Sequence, residues 1–251
     1  MKLTHIGGPT ALFELGGVRF LTDPTFDDPG EYPFRPGLVL RKLTGPALRP
    51  PELGPIDVVL LSHDQHPDNL DHSGRALLPD TKAVLSTVDA PERLPGVIGL
   101  SPWQAWPVPG SDLTVTAVPA RHGPPGCEPV TGFVTGFVVE GPGVPTVYVS
   151  GDNAGVDLVE QIAQRFTIDV AVLFAGAVRT ANLDEAGSPL TLTVDDAVTV
   201  ARLLDRAVIV PVHTEGWAHF TQTPQDMAAG FAAAGLDRLR MPVPGKAIAL
   251  P

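Results

Sequence analysis

Between Asp57 and His72 the sequence runs through Val58, Val59, Leu60 and Leu61, stops at Ser62, and turns polar with His63, Asp64, His66, Asp68, Asp71 and His72. The apolar run is long enough for one buried strand. Imidazoles and carboxylates crowded at its end are costly to bury without partners. They are the usual ligands of zinc and of harder divalent ions, so a bound cation is the economical reason for their company. This stretch constrains the fold more than any other, because the strand has to end where further ligands can reach it.

Three later segments repeat the arrangement. Leu113–Ala120 alternates like a strand and leads into Arg121 and His122; Pro145–Ser150 leads into Gly151 and Asp152; Ala207–Val212 leads into His213. Ligands delivered from one sheet edge by separate strands are how α/β proteins build sites. A single histidine is more often structural, but four such coincidences are hard to obtain from core packing. Asp23 follows the predicted strand Val18–Thr22 and either faces the same end or serves as a turn aspartate before Pro24.

The chain opens as a β-meander, Leu3–Ile6, Thr10–Leu15 and Val18–Thr22, with Gly16 and Gly17 at a hairpin turn. Helical spacing is predicted over Leu70–Leu78, with Asp68 or Asn69 as its cap, and over Val156–Arg165, Thr193–Leu204 and Pro224–Ala234. Val170–Phe174 reads as a fully buried strand, and Ala175-Gly176 after it permits a close approach of backbone or ligand. From Phe26 to Leu53 the Pro- and Gly-rich sequence predicts a long loop or lid, either a wall of the pocket or a surface insertion. A single domain is expected for the 251 residues.

Seventeen basic against twenty-eight acidic residues leave a net charge of -11, which disfavours nucleic acid and anionic lipid as partners. The lone Cys127 makes no internal disulfide, the N-terminus carries no signal-like apolar stretch, and no apolar run spans a bilayer. A cytoplasmic protein acting on a small molecule is expected, with a homo-oligomer allowed. Nucleophilic catalysis finds no Gly-x-Ser-x-Gly element, and Cys127 lies in a Pro-Gly loop without an evident activating arrangement.

The set of motifs resembles the metallo-β-lactamase superfamily, and specifically its UlaG-like branch, similar to L-ascorbate-6-phosphate lactonases. The resemblance covers nearly the whole chain: Ile6-Gly7-Gly8, Thr22-Asp23-Pro24, the central cluster, His122, Asp152 in Ser150-Gly151-Asp152, and His213 in Pro211-Val212-His213. It implies an α/β fold, a four-layered αββα sandwich of two mixed sheets flanked by helices. It also implies a hydrolase that uses a metal-activated water on a small ester, lactone, amide or phosphoester. One or two divalent ions are implied, zinc first, with manganese or iron as alternatives.

The departures from the family pattern matter as much. Asp68-Asn69-Leu70-Asp71 aligns with the family's Asp-His-Leu-Asp, which puts Asn69 where a second-site histidine is expected, and Gly8 stands where many relatives carry histidine. His66 takes the second histidine position. The first falls on Asp64, or on His63 if the loop bulges by one residue, and His63 is preferred because imidazole binds zinc better there. The ligand set implied is His63, His66 and His122 for one ion and Asp68, Asp152 and His213 for the other, with Asp152 a candidate bridge and Asp68 or Asp152 steering the water. Asp23, Asn69 and Asp71 are expected around the ligands, Asp71 either orienting an imidazole or serving as a first-turn carboxylate. Arg179 is a candidate for a substrate anion, and Trp217 and His219 are either pocket residues or structural ones. The rival reading is a metal-depleted, ligand-binding protein on the same fold, suggested by Gln65, Asn69 and Gly8.

Overall fold

The computed structural model describes residues 1–179 and 187–251. In chain order its elements are β1 (Lys2–Gly7), β2 (Thr10–Leu15), β3 (Val18–Thr22), β4 (Gly30–Arg35), β5 (Leu38–Lys42), α1 (Pro50–Leu53), β6 (Val58–Leu60), α2 (His72–Leu77), β7 (Ala83–Thr87), β8 (Ile98–Leu100), β9 (Ala105–Pro107), β10 (Thr114–Pro119), α3 (Glu128–Thr131), β11 (Thr135–Glu140), β12 (Val147–Val149), α4 (Val156–Ala163), β13 (Val170–Phe174), α5 (Val194–Leu203), β14 (Val208–Val212), α6 (Pro224–Ala233) and β15 (Ala247–Ala249). One sheet has the order β15-β1-β2-β3-β6-β7-β8, and the other β14-β13-β12-β11-β10-β9. Both are mixed: β3, β6, β7 and β8 run parallel, as do β12, β13 and β14, and the remaining pairs are antiparallel.

Alternation along the strands creates the layers. In β13, Val170, Val172 and Phe174 enter the core between the sheets together with Phe13, Phe20 and Phe137. Ala171 and Leu173 of the same strand face Ile162, Val198 and Phe231 from the helices outside. The other sheet turns Leu21, Val59 and Leu61 outward onto Leu53, Leu70 and Leu78. A strand covered on both faces has no polar side, which is why Val170–Phe174 reads as an unbroken apolar run. The result is the expected αββα sandwich. Among the described residues, no helix is long and apolar enough to cross a membrane.

Two local expectations are corrected. The cap of α2 is Asp71, whose carboxylate accepts from the Gly74 amide at 2.8 Å, and neither Asp68 nor Asn69 fills that role. The segment Phe26–Leu53, expected as a loop, pairs β4 with β5 in a two-stranded hairpin followed by the short helix α1. The hairpin hides its alternation from a sequence reading because Tyr32, Leu40 and Trp217 form a small apolar cluster of their own, apart from the main core. Its β5 end is anchored by Lys42, which is buried against Asp71 at 2.8 Å and forms an antiparallel bridge with Trp217.

Candidate metal centre

The ends of β6, β10, β12 and β14 come from both sheets to one edge of the sandwich. His63, His66, His122 and Asp152 form one group there, and Asp68, Asp152 and His213 a second, with the atoms of each group all within 4.8 Å of one another. Every one of these side chains is buried. Asp152 belongs to both groups: its Oδ2 lies 3.6 Å from His122 Nε2 and its Oδ1 3.0 Å from His213 Nδ1. His213 has a left-handed backbone, φ 57°, uncommon for a residue with a side chain. Gly176 lets it sit there, because a Cβ at that glycine would lie 2.1 Å from the His213 carbonyl oxygen.

Ring orientation is set from behind. Ser62 Oγ lies 3.0 Å from His63 Nδ1, and the Leu190 carbonyl lies 2.7 Å from His122 Nδ1, an acceptor that fixes the tautomer and leaves Nε2 for the site. Asp23 Oδ1 accepts from the Ser62 amide at 2.6 Å, and Asn69 Nδ2 reaches Ser62 Oγ at 3.5 Å and Asp23 Oδ2 at 3.4 Å. Asp23 and Asn69 therefore stand behind His63. Asp71 does not: besides capping α2 it accepts the Phe26 and Asp27 amides at 2.9 and 2.7 Å and pairs with Lys42, so it ties the hairpin segment to α2 and touches no ligand imidazole. Asp64 is turned away from the group, in a two-pronged pair with Arg93, whose Nε and Nη2 donate to its oxygens at 2.8 and 2.6 Å. His63, and not Asp64, therefore lies in the first group, beside His66, His122 and Asp152.

Burial pushes the His63 imidazole down to about 4 and takes His66 well below its usual value, the neighbouring imidazoles adding to the effect on His66. Both are neutral at pH 7 with lone pairs to offer. His213 goes the other way: burial lowers it, but Asp152 and then Asp68 outweigh this and raise it to about 10. Burial opposes the ionised Asp68 and Asp152, yet the surrounding imidazoles hold both carboxyls below the usual range. Asp23 is raised to about 8 by burial, with the Ser62 amide opposing and the Asp152 charge reinforcing.

The donors fit a divalent cation on their own terms. His63 Nε2, His66 Nε2 and Asp68 Oδ1 are buried without a hydrogen-bond partner, and the Asp152 oxygens and His213 nitrogens, also without a well-aligned hydrogen bond, have only the ion-pair contacts within the two groups, at 3.0–3.6 Å. Buried polar atoms are otherwise nearly always satisfied, so this many unsatisfied donors converging on one place form a cluster able to hold an ion.

A cavity of about 140 Å³ opens over the groups, and His66, Asp68, His122 and His219 line its floor. His219 Nε2 lies 2.9 Å from Asp68 Oδ2, which also lies 3.5 Å from His213 Nε2. Trp217 is buried behind β5, outside this lining, against Tyr32. Arg179 is also outside it, its guanidinium donating to the Gly187 carbonyl. Sequence reasoning missed Ser62 and Arg93, whereas the Phe26–Leu53 segment, offered as a wall of the pocket or a surface insertion, supplies Phe34, Leu38 and Leu40 to the cavity lining. Ser62 adjoins His63 and was open to notice, whereas Arg93 carries no local sign of its partner.

A family model described as the Beta-lactamase superfamily domain matches residues 18–214. A UPF0173 metal-dependent hydrolase of Pyrobaculum aerophilum is 26% identical, with 98% of each chain covered. Among solved structures, the isothiocyanate hydrolase from Delia radicum gut bacteria superposes with a TM-score of 0.84 at 22% identity, covering 100% of this chain and 99% of the other. A "possible metal-dependent hydrolase" from Veillonella parvula gives 0.86 at 20% identity, with the same coverage. At such identities the two structures are likenesses of fold.

Proposed function

The chain belongs to the beta-lactamase superfamily, and from that premise we propose that it is a metal-dependent hydrolase with His63, His66 and His122 on one divalent ion, Asp68 and His213 on another, and Asp152 shared between them. The observation that carries the reading is the pair of buried donor groups joined through Asp152 beneath a cavity. Imidazole-rich and carboxylate-bearing groups of this kind suit zinc, with manganese or iron as alternatives. A divalent ion bound there supplies Lewis-acid polarisation of a scissile carbonyl or phosphoryl oxygen and lowers the pKa of water.

The side chains do the rest. Ser62 and the Leu190 carbonyl aim His63 and His122 inward. Asp68 presents Oδ1, buried and unpartnered, to take a proton from the attacking water, while Oδ2 is fixed by His219. Asn69 is engaged with Asp23 and Ser62, and an amide oxygen is a weaker ligand than imidazole, so the second ion is held less tightly than the first.

The test is metal content of the purified and reconstituted protein, measured beside a hydrolysis screen of esters, lactones, amides and phosphoesters. Isothiocyanates join the screen because a structural relative is named for them. Metal-dependent turnover lost in Asp152→Ala is the expected result. Trace metal after reconstitution, or turnover unchanged by that substitution, overturns the reading.

A further inference from the structure

The walls of the cavity differ from its floor. Phe34, Leu38 and Leu40 of the hairpin stand on one side, and Val130, Val178 and Leu190 on the other. Outside the floor, the one charged side chain among the described lining residues is Arg35. Its guanidinium sits 4.8 Å from the centre of the Phe34 ring and donates across the mouth to the Val130 carbonyl. Of the other cations, Lys42 is engaged by Asp71, Arg93 by Asp64 and Asp89, Arg121 by Asp157 and Arg179 by the Gly187 carbonyl, while Arg75 lines a neighbouring cleft and not this cavity. Below Arg35 at the mouth, the described walls thus carry no basic side chain to meet a carboxylate or phosphate on the substrate's body.

Size follows from volume. A cavity of about 150 Å³ has room for benzene, and this one, open at its mouth, measures about 140 Å³, with Thr131 the one uncharged polar side chain on its otherwise apolar described walls below Arg35. We infer that the site takes small uncharged substrates whose non-reacting part is an apolar group about the size of a phenyl ring, seated between the β4–β5 hairpin and Val178, with the reacting bond at the His and Asp floor. The inference rests on the hydrolase reading for the word substrate, but the apolar subsite can be tested without turnover.

The probe is toluene, titrated into zinc-reconstituted protein and followed by calorimetry and ligand-observed NMR, with benzoate as the charged control and 2-methylnaphthalene as the oversized one. Toluene is expected to saturate one site and to bind at least about tenfold better than either control, a difference of about 1.4 kcal/mol. Leu38 is partly exposed on the hairpin and is the wall residue to change. Leu38→Trp should weaken toluene about tenfold or more by filling the space, and Leu38→Ala should admit 2-methylnaphthalene. Benzoate binding as well as toluene, no saturable toluene site, or indifference of both probes to both Leu38 variants overturns the inference. Loss of turnover across the whole screen with toluene still bound overturns the hydrolase reading instead.

Discussion

Arg93 offers the sharpest quantitative test of how the centre is built. Its fork closes on Asp64, whose side chain is only 1% exposed while that of Arg93 is 35% exposed. Removing one partner of a fully buried pair costs about 3–5 kcal/mol, mostly because the other charge stays buried and alone. Solvent reaches the Arg93 side, so screening brings the expectation for Arg93→Ala down to about 2–3 kcal/mol. In a domain of this size each kcal/mol moves the melting temperature by about 2–4 °C. The Arg93→Ala protein should therefore melt roughly 4–12 °C below wild type, on the same scale. Asp64→Asn leaves no buried charge and should lose less. It should also retain its full metal content, whereas His63→Ala should not. Thermal melts of the four proteins, with metal analysis of each, make the measurement. An Arg93→Ala melt within about 1 °C of wild type, below the resolution that this scale demands, refutes the energetic argument. Metal lost from Asp64→Asn but kept by His63→Ala refutes the placement of His63.

Three further outcomes follow from the same geometry. Gly176→Ala puts a Cβ 2.1 Å from the His213 carbonyl; the strand end must move, costing about 3 kcal/mol at the upper end of overpacking penalties, and a denaturant melt near wild type would contradict it. His213 is held above its ordinary value at about 10, so the stability its ion pairs supply to the metal-free protein is complete below about pH 6.5 and is lost as pH rises through about 10. A cation has to displace that proton, so apparent affinity for the weaker ion should rise about tenfold per pH unit between about pH 7 and 9, read by calorimetry in buffers of different ionisation enthalpy; affinity flat over that range would count against it. Asp23, raised to about 8 from an ordinary 3.8, binds its proton more tightly folded than unfolded. Its contribution to metal-free stability is full below about pH 4 and declines as pH rises to about 8, so Asp23→Asn should flatten that part of the stability profile, and an unchanged slope would refute the assignment.

Much of this centre was legible before any coordinates, because the signals that mark it are local. An apolar run that ends in a histidine or aspartate is visible in sequence, and so are strands buried on both faces, such as Val170–Phe174, and the helical spacing from Thr193 onward, whose cap the structure places on Thr193 with Asp196. Elements with weaker contrast were not legible: β11 lies in a Gly-punctuated stretch, and β15 is three residues long, recognised only by its pairing with β1.

From sequence alone came the residue types able to bind a cation and the strand ends that carry them, since hydrophobic alternation and ligand chemistry belong to neighbouring residues. Only the folded chain decided who meets whom. Asp64 and His63 are adjacent, yet one turns to Arg93 and the other to the site. Asp71 went to the hairpin amides and Lys42 rather than to an imidazole, and Arg179 fell outside the cavity that Phe34 and Leu38 enclose. The physical reason is common to all of these: a charged or apolar side chain announces what kind of partner it needs, but the partner is chosen by which distant strand or loop the packing of the two sheets brings alongside it.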